Sequence, residues 1–180
     1  EALTEWGNFR TFKSTGAITF SVMGDSGYAS IQQYAIANQL KQADTDLLVH
    51  VGDIIYYGFN HQAADFRCVS VYSEQMRTRP YFFALGNHDM YYDRNAALQT
   101  FYLPTNNVTG TEHYYSFDHG DVHFVVLWTD RAVGADYFPG SPQYNWLEQD
   151  LAASTKPWKF IFFHHVLRST GLHAVDHYDR

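Results

Sequence analysis

The 180-residue chain is short of charge, of cysteine and of basic residues, and each shortage removes a class of protein. Charged side chains make up 17% against 46% apolar ones, which excludes a disordered chain or a coiled coil. The lone Cys68 allows neither an internal disulfide nor a thiolate zinc cage. Twelve Lys and Arg against nineteen Asp and Glu leave a net charge of −7. No nucleic acid is therefore expected as a partner, because binding a phosphate backbone needs clustered cations. The acidity is no attraction for phosphate either; it reads as a solvated surface together with carboxylates that serve a site. No apolar run reaches the roughly 18 residues of a transmembrane helix, so no membrane span is expected. Repeats and low-complexity tracts are also absent. Histidine is what the chain has in plenty, ten residues, several of them following Gly-Asn or aromatic runs. That composition points to a metal-handling enzyme.

Hydrophobic patterning predicts alternating strands and helices. Residues 17–23 (AITFSVM) form an apolar β-rich run that breaks at Gly24-Asp25. Ser30 caps a helix with Ile31, Tyr34, Ala37 and Leu40 spaced for one buried face. Residues 46–51 read as a second strand ending at Gly52-Asp53, residues 66–77 as a second helix, and residues 81–85 as a third strand ending at Gly86-Asn87. Residues 112–117 and 122–128 predict an antiparallel hairpin turning at His119-Gly120. Ser141-Pro142 opens a helix with Tyr144, Leu147 and Leu151 inward, and residues 158–163 read as a buried strand running into His164-His165. This alternation predicts an α/β fold with a layered sheet. Polar residues 1–16, ending in Lys13-Ser14-Thr15-Gly16, read as a linker into one domain over residues 17–180.

Four strands deliver a polar donor as they stop: Asp25, Asp53, Asn87 and His164. A single Gly-Asp after a strand is ordinarily a turn. Four such endings on one sheet edge form a site, because α/β sheets build their sites at strand C-termini. Two carboxylates, an amide and an imidazole suit iron, zinc or manganese. A carboxylate at Asp53 can bridge two ions, with Asp25 on one and Asn87 and His164 on the other. Ions about 3.5–4 Å apart can hold a hydroxide between them and clamp an in-line phosphoryl displacement.

The order of these endings resembles the calcineurin-like metallophosphoesterases, and within them the purple acid phosphatases. The family's GDxG, GDxxY, GNH plus Asp or Glu, and VxxH motifs are matched by Gly24-Asp25-Ser26-Gly27, Gly52-Asp53-Ile54-Ile55-Tyr56, Gly86-Asn87-His88-Asp89 and Ile161-Phe162-Phe163-His164. Gly27 stands where the superfamily's protein phosphatases, nucleases and cyclic-nucleotide phosphodiesterases carry a histidine, and Tyr56 stands where the purple type has its tyrosine. The resemblance implies a layered metallophosphoesterase sandwich of mixed β-sheets flanked by helices. It also implies a phosphomonoester hydrolase of acid phosphatase type, in which a hydroxide on a dinuclear metal centre attacks phosphorus. Fe(III) would sit with Asp25, Asp53 and Tyr56, and a divalent iron, zinc or manganese ion beside it. A free phenol has a pKa of about 10, so phenolate near neutral pH calls for a strong Lewis acid, and phenolate on ferric iron is coloured. Small phosphorylated substrates and a secreted or periplasmic setting follow from the same resemblance.

The resemblance further places His88 and His173 beside the substrate, to stabilise the phosphoryl group or protonate the leaving alcohol. Asp89 is expected to orient a neighbour, His88 in particular, and Tyr91, Tyr92 and Asp93 to line the substrate mouth. His165 is expected to support or pack beside the site. His50, His61, His113, His119, His123 and His177 read as surface or satisfied strand residues. Asn107-Val108-Thr109 is a glycosylation sequon, a triplet common by chance. The family's last motif, GHxH, does not occur before Arg180, which leaves each metal one ligand short. The C-terminal part of the domain is therefore expected to be missing and the 180 residues to be a piece of a longer chain. Residues 6–12 (WGNFRTF) resemble the tail of a preceding fibronectin-like domain. Two alternatives stand beside the leading one: a phosphodiesterase on the same fold, and a non-catalytic metal- or phosphate-binding remnant.

Overall fold

The computed structural model describes residues 8–166 and Thr170. Two three-stranded sheets pack face to face. The first holds β1 (Phe20–Met23), β2 (Leu47–His50) and β3 (Tyr81–Phe83), all parallel and in chain order. Its crossovers are α1 (Ile31–Gln42) and a helical stretch made of α2 (His61–Ala64), a π turn over Asp65–Val69, and α3 (Ser70–Met76). β2 is central and buried on both faces, which explains its unbroken Leu47, Leu48, Val49 run. The second sheet pairs β4 (Tyr115–His119) antiparallel to β5 (Val122–Val126), and β5 parallel to β6 (Trp158–Phe162). Its crossover helix is α6 (Pro142–Ala153), capped by the Ser141 hydroxyl. These are the mixed sheets flanked by helices that the motifs imply. Among the described residues no helix is long and apolar enough to cross a membrane.

Aromatic rings form the interface between the sheets. Phe82 of β3 stacks on Phe117 of β4 at 3.7 Å between ring centres, and Phe117 stacks on its cross-strand partner Phe124 at 4.8 Å. Phe20 of β1 meets Phe124 edge-on at 5.1 Å. From the linker side, Phe12 adds its ring to Phe82, Phe117 and His119. The outer face of the second sheet is closed by α6, whose Trp146 packs with Tyr114, Val125 and Leu127.

Several elements depart from their expected form. The inward face of α1 is Gln33 and Ala37, whereas Ile31 and Tyr34 are 86% and 43% exposed. Gln33 is tolerated inside because its side chain accepts from Ala29 N–H (2.6 Å) and donates to the Arg67 carbonyl (2.7 Å). The second helical stretch starts at His61, five residues early, because Asn60 Oδ1 caps it by accepting from Ala63 N–H. The hairpin lies later than expected and turns at Gly120-Asp121. β6 was expected to be buried, yet Trp158, Phe160 and Ile161 are 63%, 38% and 40% exposed, because it is the edge strand of its sheet among the described residues. Patterning gave no sign of the short α4 (Asn87–Met90) and α5 (Ala96–Thr100).

One buried side chain ties the two sheets by hydrogen bonds. The Tyr115 hydroxyl on β4 donates to the Phe83 carbonyl (2.9 Å) and accepts from Phe83 N–H (3.1 Å) on β3. Tyr115→Phe strands both backbone groups in the core. We expect it to cost about 1–3 kcal/mol in urea unfolding; an unchanged midpoint would show that this link contributes nothing.

Candidate metal centre

The three parallel strands stop side by side, and their loops turn sharply over the sheet edge. Asp25 and Asp53 both adopt left-handed backbone with φ of 52°, which costs a non-glycine residue about 1–3 kcal/mol. The loops are laced together by Asp25 N–H to Gly52 O (3.1 Å), Ser26 N–H to Asp53 O (3.1 Å) and Tyr56 N–H to Gly27 O (3.2 Å). Gly27 has φ of +82°, and a Cβ there would stand 2.0 Å from the Ile54 carbonyl oxygen, so a histidine does not fit this backbone. At Gly86 a Cβ would lie 2.2 Å from Asp53 Oδ1. Gly27 is therefore demanded by contact as well as by conformation, and Gly86 by contact.

These turns bring the donors together. Asp25, Asp53 and His164 each offer one ligand atom within 4.8 Å of the others. Tyr56 O–H donates to Asp53 Oδ2 (2.8 Å) and to Asp25 Oδ1 (3.0 Å). His164 Nε2 lies 3.4 Å from Asp53 Oδ1, while its Nδ1 is 2.9 Å from the Val51 carbonyl. Asn87 opens α4 and donates its side-chain amide to the Tyr91 hydroxyl (2.8 Å). The next residue, His88, donates its backbone N–H to Asp53 Oδ1 (3.0 Å). The His88 ring rests on Tyr56 at 4.4 Å, and its buried Nδ1 has no hydrogen-bond partner. His173 lies outside the described residues, as does His177.

The electrostatics are those of a cation site. Burial pushes the Asp53 carboxyl up, but the hydrogen bond and charge of His164, with the His88 N–H and Tyr56 O–H, hold it below the usual range. Burial pushes His164 down, and the Asp53 carboxylate overrides this to hold it up to about 9. Burial and then the Asp53 and Asp25 carboxylates push the Tyr56 phenol far above its ordinary value. A cation of high charge between those carboxylates is what would make phenolate and neutral imidazole available as ligands. Two acceptor-only carboxylates, a phenol already aimed at both, and an imidazole on the same carboxylate fit a metal of that kind.

Support for the donors comes from groups around them. The fully buried Asp89 accepts from Ile54 N–H (2.8 Å) and Ile55 N–H (3.3 Å) at Oδ1, and from Gly86 N–H (2.9 Å) at Oδ2. It clamps the loop after β2 to the loop after β3, so the neighbours that it orients are the backbones of these two loops. Burial pushes its carboxyl up to about 7, against the Gly86 N–H and helped by the Asp53 charge. Tyr28, one residue past the GDxG turn, stacks its ring on Tyr56 at 4.4 Å and 7°. The Arg67 guanidinium donates to the Tyr56 carbonyl. His165 uses its backbone N–H on the Thr129 hydroxyl (3.2 Å). Elsewhere His119 accepts from Lys13 N–H, and His123 lies 2.7 Å from both Asp118 and Asp150. His61 meets the Thr100 hydroxyl and His113 packs on Trp128, while Asp93 accepts from Asn95 N–H.

Beneath the loops, His50 is fully buried with Nε2 2.9 Å from the Ser26 hydroxyl. Burial, assisted by the His164 charge, drives its pKa down to about 3. The folded chain thus refuses a proton that the unfolded chain takes below pH 6.5, so this contribution to stability is complete above pH 6.5 and falls as pH drops toward 3. In His50→Gln the acid slope of unfolding free energy should be shallower by about 1.4 kcal/mol per pH unit in that window. Equal slopes in urea titrations of the two proteins would contradict the assignment.

Comparison with known proteins places the chain in a family. The family model for calcineurin-like phosphoesterase matches residues 18–179. Purple acid phosphatase 7 of Arabidopsis thaliana is 25% identical over 190 residues, covering 91% of this chain and 58% of that protein. Purple acid phosphatase 4 of the same plant is 24% identical over 185 residues, covering 88% and 55%. In fold, the chain is similar to purple acid phosphatase PPD1 from yellow lupin (Lupinus luteus) seeds, with a TM-score of 0.71, 22% identity, and coverage of 91% of this chain and 33% of that one. The chain spans about half the length of the curated relatives it matches.

Proposed function

Since the chain belongs to the calcineurin-like phosphoesterase family and is of the purple acid phosphatase type, we propose that it is a metal-dependent phosphomonoester hydrolase. The observation that carries this reading is the meeting of Asp25, Asp53 and His164, with the Tyr56 hydroxyl bonded to both carboxylates. In it, Asp25, Asp53 and Tyr56 hold Fe(III), and Asp53, Asn87 and His164 hold a divalent iron, zinc or manganese ion. When bound, such a pair supplies Lewis acidity to water and to the phosphoryl oxygens.

The protein's own groups supply the rest. Asp53 suits the bridging position because its oxygens already face different partners, Oδ2 toward Tyr56 and Oδ1 toward His164 and the His88 N–H. His88, whose ring packs on Tyr56, is proposed to donate a hydrogen bond to the phosphoryl group. His173 is proposed as the second histidine, passing a proton to the leaving alcohol. Small phosphorylated molecules are the substrates of this reading, and a secreted or periplasmic setting goes with it.

Elemental analysis of the purified protein tests the centre first. About two metal ions per chain, iron among them, are expected, and well below one would overturn the dinuclear reading. Tyr56→Phe should bleach the visible absorption of the iron-loaded protein while its far-ultraviolet circular dichroism stays the same; a band that survives removes Tyr56 from the site. Turnover of an aryl phosphate monoester should exceed that of the matching diester. The reverse preference would make the protein a phosphodiesterase on this fold, and metal bound without turnover of either would make it a non-catalytic remnant.

A further inference from the structure

Between the end of β1 and the first turns of α1 lies a cavity of about 200 Å³, walled by Met23, Asp25, Tyr28, Gln33, Ile36 and Tyr72. Asp25 belongs both to this wall and to the donor cluster. The cavity therefore adjoins the donor cluster along Asp25. The space matches one ring: an apolar cavity of about 150 Å³ is enough for benzene, so this one takes a six-membered ring with a small substituent.

The walls favour a planar group. Tyr28 stacks on Tyr56 at 4.4 Å and 7°, lines the cavity and remains 48% exposed. Beside it, Tyr57, 67% exposed, meets Tyr28 at 84° with 5.7 Å between ring centres. Aromatic guests gain from stacked and edge-on contacts of this kind, which a saturated ring of equal bulk does not make. Asp25 is the sole charged residue among those lining the cavity, so nothing there recommends a second phosphate or another anion. We propose that this cavity seats the organic group of the phosphomonoester and selects a single planar aromatic ring, stacked on Tyr28, over an aliphatic group. The inference rests on the phosphomonoester reading above, and it makes Tyr28 and Ile36 determinants of specificity.

Non-hydrolysable phosphonates separate stacking from leaving-group reactivity. Isothermal calorimetry on the metal-loaded protein compares benzylphosphonate, cyclohexylmethylphosphonate and inorganic phosphate. Benzylphosphonate should bind about tenfold tighter than the cyclohexyl compound, the scale of one stacking contact, although the latter is the greasier. Ile36→Trp, which fills the cavity from α1, should abolish that difference, and so should Tyr28→Leu; Tyr28→Phe should keep it. Inorganic phosphate, too small to reach the cavity, reports whether each variant still has a working site. Equal affinities, a cyclohexyl preference, or a benzyl preference that survives Ile36→Trp would overturn the proposal while phosphate binding keeps the phosphatase reading. If the metal-loaded protein binds none of the three, both readings fall.

Discussion

The Asp53 carboxylate divides its two oxygens between opposite sides of the site, and the surrounding loops are shaped around that division. Oδ2 accepts from Tyr56, whose phenol also reaches Asp25; Oδ1 accepts from the His88 N–H and faces His164. Every candidate ligand thus touches this one group or stands next to a residue that does. Gly86 must lack a side chain for the carboxylate to sit there, and Asp53 itself must accept a left-handed backbone. Asp89 then locks the arrangement from below by holding three backbone N–H groups of the two adjoining loops. Strain at Asp25 and Asp53 is sustained because so many contacts over-determine their positions.

That geometry also depends on how two separate sheets meet. Asp25, Asp53 and Asn87 come from the first sheet, where parallel neighbours end about 4.8 Å apart and align their loops. His164 comes from the second sheet, just past β6. Its distance from Asp53 is set by the packing between layers, the Phe82–Phe117–Phe124 stack and the Tyr115 bonds to Phe83. A change deep in this aromatic layer therefore reaches the metal centre by moving one ligand relative to the rest. Interiors packed to crystal density transmit such shifts instead of absorbing them.

Around the donors lies a second ring of aromatic groups, Tyr28, Tyr57, His88 and Tyr91, all in contact with Tyr56 or with each other. They exclude water from one side of the phenol, and in doing so they strengthen its bonds to the carboxylates. Tyr91 has a double part, since its hydroxyl also accepts from the Asn87 amide and fixes that side chain's orientation. The same side chains that hold the centre in place thus form its outer wall, where a substrate would first make contact.

The strands and the polar residues at their ends were legible in the sequence because each is a local signal. An apolar β-rich run followed by Gly-Asp or Gly-Asn announces both a strand and its stop, and Ser30 and Ser141 announce helices by capping them. What the sequence could not carry is which faces meet. Ile31 and Tyr34 have the right spacing to be buried but point to solvent, because Gln33 finds partners in Ala29 and Arg67 that lie far off in the chain or outside the helix. β6 has the composition of a buried strand and lies exposed at an edge, since strand order is not written in any one strand. Asp89 bonding across 35 residues to Ile54, Tyr28 stacking on Tyr56, and His50 neutral beneath Ser26 are likewise decided by tertiary packing. Chain-local chemistry chose the candidate donors; desolvation and the meeting of the two sheets decided how they face one another and which protons they keep.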